Sequence, residues 1–347
     1  MAASQQNPTY TVYIISETTK YNVTPALLSM DRSEAEGQIA QRVNFEFNNV
    51  QVNNVWISSI FQAANRVFVY ANDGTKNDEV FRGFLWERSY KSSISDKVLK
   101  ISAYDHLIYL QESEDTYYFS PRKGTDEIVK QICDNWNIQL EYTYNSMSNR
   151  KIAARGKLYD ILTADILDYT AWHTGDKYVI ISEKDVMKVK LAGSNETVYH
   201  FLAGKNVEST TSGWTMDGVV TQVLIVGKAN EDGYEPIELA VPRNKDKYGT
   251  LQKILRRDDE TELWQARGHA TTILNGSSEP KWEYKIEGPD IPWIRKGDKI
   301  YVDAGDINET NLVVTAISRA SDLKKSKMTI TAERITKVHE HGMMDWW

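Results

Sequence analysis

The chain has 347 residues, enough for two or three domains with hydrophobic cores of their own, which excludes a disulfide-stapled miniature. Hydrophobic residues make up 41% and charged residues 26%, the mix of a folded globular protein and not of a disordered one. Lys+Arg 41 against Asp+Glu 48 leaves a net charge of −7, which speaks against a sequence-independent grip on nucleic-acid phosphates.

The first eight residues, Met1-Ala-Ala-Ser-Gln-Gln-Asn-Pro8, lack the basic and apolar regions of a signal peptide. No run approaches the ~18 apolar residues of a membrane span, so synthesis in a reducing cytoplasm is expected. From Thr9 to about Leu110, apolar and polar residues alternate with the period of two that half-buried strands require, as in Tyr10, Val12, Ile14 and Leu99, Ile101, Ala103. Asn72-Asp73-Gly74 and the polar run Lys91 to Lys97 mark hairpin turns. Residues 1–111 are therefore predicted to form a first β domain.

Residues 112–204 differ in kind and are predicted to be α+β, with possible lobes at 112–155 and 156–204. Ile128, Val129, Ile132, Cys133 and Trp136 follow helical spacing after Gly124, with Thr125 as N-cap. Cys133, the single cysteine, falls in that apolar pattern and reads as a buried, inert thiol. Leu158, Ile161, Leu162, Ile166 and Tyr169 repeat the spacing on a second helix ended by Gly175. Strands follow at Tyr178 to Ile181 and Val186 to Leu191, joined by the tight turn Ser182-Glu-Lys-Asp185.

From about Val207 the strand pattern returns, with Val219, Thr221, Val223, Ile225 and later Val313 to Ile317. One helix interrupts it, with Leu263, Ala266, Ala270, Ile273 and Leu274 on one face. Residues 205–338 are predicted to be a second β domain with one helix, and 339–347 a C-terminal tail. Leu99-Lys-Ile-Ser-Ala-Tyr-Asp105 and Met328-Thr-Ile-Thr-Ala-Glu-Arg334 echo one another at the ends of the two β domains, which predicts a duplicated module.

Nucleotide-binding, metalloprotease, nucleophile-elbow and calcium-loop motifs are absent from the sequence. His106, His173, His200 and His269 stand alone and read as structural; His339 and His341 lie in the tail without a third ligand. Asp258, Asp259, Glu260 and Glu262, or Glu112, Glu114 and Asp115, offer the carboxylate pairs a glycosidase needs, but sit in runs that read as solvated surface. No catalytic residue, metal ligand or cofactor is expected. Trp86, Trp136, Tyr104 and Tyr169 fall on faces assigned to cores. Met343, Met344, Trp346 and Trp347 cannot form a core of their own and are candidates for docking a partner.

Phe81-Arg-Gly-Phe-Leu-Trp86, then a polar hairpin, then Leu99 to Leu110 and a helix after Gly124 resemble the first half of the tail hub proteins of contractile phages and PBSX-like defective prophages. The second half is similar through Val219 to Gly227, the Leu263 to Leu274 helix, Asp290-Ile-Pro-Trp-Ile-Arg-Lys-Gly-Asp298 leading into Lys299 to Val302, and Met328 to Arg334. Gly83, Tyr104, Asp105, Gly297 and Asp298 are the structural motif positions in these runs; the Trp346-Trp347 ending departs from the family pattern. The resemblance implies a mainly β fold, with two tail-tube-like β-barrels flanking small α/β domains, as in the hub portion of type VI secretion spike proteins. It further implies a homotrimer whose six barrels meet a hexameric tail tube on one face and a central spike on the other, among other baseplate proteins. DNA would pass through the ring without specific binding, and the site of action would be the assembled particle, whether phage, defective prophage or tail-like bacteriocin. The alternative is a tail-associated cell-wall hydrolase or carbohydrate-binding protein.

Overall fold

Alternating apolar residues turn most of the chain into strands: the protein is mainly β, 52% strand and 18% helix. The computed structural model describes residues 7–93, 97–143, 151–168, 170–171, 176–257, 262–322 and 325–334. Of the described residues, the larger of two compact units takes those up to Ala171, Lys177–Thr211 and 284–334, and the smaller is built mainly on Ser212–Glu283.

The larger unit begins with β1 (Thr9–Ser16), β2 (Thr19–Asn22), β3 (Leu27–Glu34), β4 (Arg42–Asn48), the small β5–β6 hairpin (Gln51–Val52, Val55–Trp56), β7 (Arg66–Asn72), β8 (Asn77–Ser92) and β9 (Lys97–Tyr104). Val43, Phe45 and Phe47 of β4 and Leu99, Ile101 and Ala103 of β9 point to one face and are buried in a common cluster. Each large side chain among them contributes about 1.5–3 kcal/mol by leaving water.

The middle region adds β10 (Glu114–Phe119), β11 (Gln139–Thr143), β12 (Ile152–Lys157), β13 (Tyr178–Glu183) and β14 (Val186–Leu191). β10 pairs with β12, and β14 lies between β11, to which it is parallel, and β13. Lys184 and Asp185 both have positive φ, which makes the tight β13–β14 hairpin. The helix Thr125–Asn135 buries Ile128, Val129, Ile132 and Cys133. Its N-cap is Gly124, whose N–H is met by Glu127; Thr125, expected in that role, is instead the first helical residue and fully buried. The second predicted helix starts as an α-turn at Leu158–Asp160 but continues as a π-helix over Ile161–Asp168, a winding that apolar spacing alone does not distinguish. Tyr169 and Gly175 lie outside the described residues.

β15 (Tyr199–Leu202) belongs to the larger unit and β16 (Ser209–Thr215) runs from it into the smaller one, which holds β17 (Gln222–Val226), β18 (Ile237–Pro242) and β19 (Gln252–Arg256). β17 is antiparallel to β18 and parallel to β19, and the helix Leu263–Ser277 buries Ala266, Ala270 and Leu274 with Val223 and Ile225. Residues 205–338, expected as one β domain carrying a helix, thus divide between the two units. Val219 to Val226 share the period of the surrounding strands, so alternation gives no sign that they belong to a separate sheet.

β20 (Lys281–Pro289), β21 (Lys299–Ala304), β22 (Ile307–Asp322) and β23 (Ser326–Arg334) complete the chain. They belong to one 13-stranded sheet whose order is β16-β20-β23-β22-β3-β4-β9-β8-β7-β1-β2, with β21 beside β22 and β15 beside β21. Tyr284, Ile286, Met328, Ile330 and Ala332 form the second buried face.

The echo seen in the sequence is a repeat in register. Each β8–β9 pair from Phe84↔Tyr104 to Ser92↔Lys97 reappears as a β22–β23 pair, from Val313↔Glu333 to Ser321↔Ser326, at one constant offset (328 − 99 = 229). The β-bulge repeats too, between Leu85 and Glu87 and between Val314 and Ala316. Next to it, Phe47↔Leu99, Phe45↔Ile101 and Val43↔Ala103 correspond to Gly288↔Met328, Ile286↔Ile330 and Tyr284↔Ala332. The orders β3-β4-β9-β8 and β16-β20-β23-β22 are therefore two copies of one four-stranded module.

Gly83, one of the motif positions, sits inside β8. A Cβ there would lie 2.1 Å from the Tyr104 carbonyl oxygen, so the close approach of two backbones requires glycine. Gly83→Ala is expected to cost at least about 1–3 kcal/mol, read as a lower urea midpoint. Trp86, expected in the core, is 42% exposed. It is the extra residue of the bulge between Leu85 and Glu87, which breaks the alternation that would turn it inward.

Candidate functional site

Two features stand out: a charged clasp that holds the module copies together, and the sheet edges they leave. The clasp is the segment Asp290–Asp298, between β20 and β21. The β22–β3 pairing sets Arg319 directly opposite Arg32, both buried. Arg319 Nε donates to Asp290 Oδ1 at 3.0 Å, and its Nη2 donates to the carbonyls of Ile291 and Ile294. Arg32 donates to the carbonyls of Pro292 and Val80, at 3.0 and 3.3 Å. Burial, then the neighbouring Arg319, lowers the Arg32 guanidinium to about 10, which leaves it charged at neutral pH beside the Arg319–Asp290 pair. The Tyr10 hydroxyl donates to Asp290, and Trp293 Nε1 donates to Asp73 at 2.6 Å. A segment of the second module thereby grips β1, β3 and the β7–β8 turn of the first.

Further along, Arg295 Nε donates to Glu34 Oε1 at 2.7 Å and its Nη2 to the Ser182 carbonyl at 3.0 Å, tying in the middle region. Burial alone would raise the Glu34 carboxyl, but the charge and hydrogen bond of Arg295, with Arg319 and Lys296, hold it at about 2. Asp105, one of the motif positions, is buried nearby and accepts the backbone N–H groups of Gln41 and Leu107, both at 2.9 Å. Burial pushes its carboxyl up to about 7, against the pull of those donors and Arg295. Asp298 accepts from Lys190 Nζ at 2.7 Å and from the Arg295 N–H at 2.8 Å.

Gly297 has φ +84 and lies in the turn into β21. Its N–H donates to the Val314 carbonyl, and Val314 N–H donates to the Asp298 carbonyl. Ala64 and Asn65 make the same two bonds to Leu85, and Ala64 also has positive φ. The Gly297-Asp298 turn is thus the second copy of a device that anchors the residue just before the bulge in each module. Tyr104 is partly buried, with the Arg42 guanidinium over its ring and Trp86 edge-on at 6.2 Å. The structure gathers Asp105 and Asp298 around Arg295, while Gly83 and Tyr104 meet on the β8–β9 ladder. Arg32, Glu34, Arg319 and Asp290 were not singled out as sites from the sequence; for Arg32, Glu34 and Arg319 the available signal was a charged residue at an inward position of an alternating strand.

Past the anchored bulge the two modules differ. In the second, Ile317–Asp322 of β22 pair with β3, and Ile317, Arg319 and Ser321 are buried. In the first, the equivalent stretch Arg88–Ser93 has only β9 beside it among the described residues, and every residue from Trp86 to Ser93 is exposed. At the first position of the sheet order, β16 has only β20 beside it among the described residues.

No group of three or more His, Cys, Asp or Glu side chains is placed to hold a metal among the described residues. His106 is buried, with Nδ1 3.0 Å from Ser182 Oγ, and burial lowers it to about 4. His200 packs against the Tyr301 ring. Burial pushes the Cys133 thiol up to about 12, beside Met187. Glu112, Glu114 and Glu262 are exposed. His173, Asp258, Asp259, Glu260, His339, His341 and Met343, Met344, Trp346 and Trp347 lie outside the described residues.

Comparison with known proteins agrees with this architecture. A profile of the family described as YQBQ-like matches residues 33–333. The phage-like element PBSX protein XkdQ of Bacillus subtilis (strain 168) is 26% identical over 269 residues, 76% of this chain and 79% of that protein. Among solved structures, the 43 kDa tail protein of prophage MuSo2 from Shewanella oneidensis superposes with a TM-score of 0.70 at 12% identity, covering 94% of this chain and 98% of that one. The Escherichia coli c3393 protein, a type VI secretion component described as similar to the T4 tail proteins gp27 and gp5, gives 0.57 at 9% identity, covering 94% and 77%.

Proposed function

We propose that this chain, which belongs to the YQBQ-like family, is a structural hub in the baseplate of a contractile tail or a related injection particle. The carrying observation is the repeated module, matched pair for pair in register. An interface must offer equivalent patches to equivalent partners, so a chain with two modules lets three copies present six. Three copies would then form a ring that meets a hexameric tube on one face and a three-fold spike on the other. The fold shared with prophage tail proteins and with a type VI secretion component supports that setting. The net charge of −7 per copy suits a ring that does not retain passing DNA. The tail residues Met343, Met344, Trp346 and Trp347 are proposed to dock against a neighbouring copy or partner, where Trp is a frequent anchor.

Complementation of particle production tests this reading. A strain lacking the chain is expected to make no complete tails, and the wild-type chain to restore them. Asp258→Asn combined with Glu260→Gln is expected to restore them equally, and a chain ending at Gly342 to restore fewer. Loss of peptidoglycan turbidity with the purified wild-type chain, absent in the double mutant, would replace the structural reading with the hydrolase.

A further inference from the structure

The clasp leaves two donors of its own unmatched. Arg32 is 1% exposed and Arg319 3%, and each makes hydrogen bonds, yet Arg32 Nε and Arg319 Nη1 are buried and reach no acceptor among the described residues. A buried donor of a charged group is costly to leave without a partner. The two side chains lie together: residues directly opposite in an antiparallel pair have Cβ atoms about 4.5–5.5 Å apart, and Arg32 and Arg319 are such a pair, both on the buried face.

The balance of charge points the same way. Arg32, Arg319 and Arg295, with Lys296 beside them, face Asp290 and Glu34; Lys190 offsets Asp298, and Asp105, its carboxyl pushed up to about 7, is only partly charged at neutral pH. Positive charge exceeds negative in a place closed to water, and a buried excess calls for a counter-ion.

We propose that a small monovalent anion, a halide such as chloride, binds between Arg32 and Arg319, accepts from Arg32 Nε and Arg319 Nη1, and completes the junction of the two modules. The surroundings favour an anion over water. Asp290 takes Arg319 Nε on Oδ1 and the Tyr10 hydroxyl on Oδ2, the carbonyls of Val80 and Pro292 take Arg32, and those of Ile291 and Ile294 take Arg319. A water molecule would bring two hydrogens to a place where each of these acceptors is already engaged, whereas an anion brings none and needs only donors. Phosphate or sulfate would bring four oxygens to two open donor atoms, so a single-atom ion fits the donor set better. Asp290 meets Arg319 at Nε, which leaves Nη1 to a separate partner.

Crystals of the full chain soaked in sodium bromide, with data collected at the bromine absorption edge, test the site. The expected result is an anomalous peak within hydrogen-bonding distance of Arg32 Nε and Arg319 Nη1. A second readout is the urea midpoint at fixed ionic strength as sodium chloride replaces sodium gluconate, whose anion is too large for the site. The wild-type midpoint is expected to rise with each tenfold increase in chloride above its dissociation constant, and the Arg32→Met midpoint to stay level. If Arg32→Met does not fold, the bromide measurement on the wild type still decides. Bromide confined to the protein surface, or density at the two nitrogens with no anomalous signal, overturns the proposal, as does a chloride response that Arg32→Met retains in full. Neither result bears on the ring reading, because the site lies within one chain.

Discussion

Asp290→Asn is expected to lower the stability of the larger unit by about 3–5 kcal/mol, because it removes the buried carboxylate that pairs with Arg319 and whose charge also offsets that of Arg32. The two guanidinium groups stand opposite each other on β22 and β3, and the Arg319–Asp290 side chains are 2% and 0% exposed, so water cannot take over the solvation. At roughly 2–4 °C per kcal/mol for a domain of this size, the melting temperature falls by about 6–20 °C. The origin of the effect is open to a double-mutant cycle. If unbalanced positive charge is responsible, Arg319→Met in the Asp290→Asn background recovers part of the loss, although Arg319→Met alone is destabilising. A loss under about 1 kcal/mol for Asp290→Asn, or additive losses in the double mutant, would contradict this role for the clasp.

Glu34→Gln is expected to destabilise the protein at pH 7 and to lose that disadvantage in acid. The Glu34 carboxyl is lowered from 4.5 to about 2, so its stabilising effect is complete above about pH 4.5 and is lost as the pH falls toward 2. The shift corresponds to about 3 kcal/mol. Urea unfolding at pH 7, 5, 4, 3 and 2 is expected to show the gap between wild type and Glu34→Gln narrowing by that amount between pH 5 and pH 2. The change is specific to Glu34 because the remaining carboxylates titrate in both proteins. Asp105 acts with the opposite sign: its carboxyl, raised from 3.8 to about 7, costs stability as the pH rises through that interval. A gap independent of pH would show that Arg295 does not hold Glu34 in its charged form.

The sequence carried the β character and the repeat because both depend on local alternation. Leu99, Ile101, Ala103 and Met328, Ile330, Ala332 occupy matching inward positions, and that pattern survives divergence of the polar residues between them. Alternation is blind to which sheet a strand joins. Gln222–Val226 therefore read as a continuation of the second β domain, although β18, β19 and the Leu263–Ser277 helix complete a sheet and core of their own. It is blind also to an extra residue in a strand, which is why Trp86 was assigned inward. The clasp was only half legible. Asp298 and Gly297 stood out as a turn, and Asp105 as the end of a strand, but Arg32, Glu34 and Arg319 are separated from Asp290 and Arg295 by 24 or more residues (319 − 295 = 24) and come together with the β22–β3 pairing. Charged residues at inward strand positions, unremarkable singly, become informative when two such strands are known to be neighbours.

The central claim is that one chain holds two copies of a module and that three chains supply six. End-on cryo-electron microscopy of the assembled oligomer tests it most directly. The expected image is a ring of six similar lobes made by three chains, with true three-fold symmetry and near six-fold appearance. A ring built from any other number of chains, or lobes that do not alternate between the first and second modules, would contradict it.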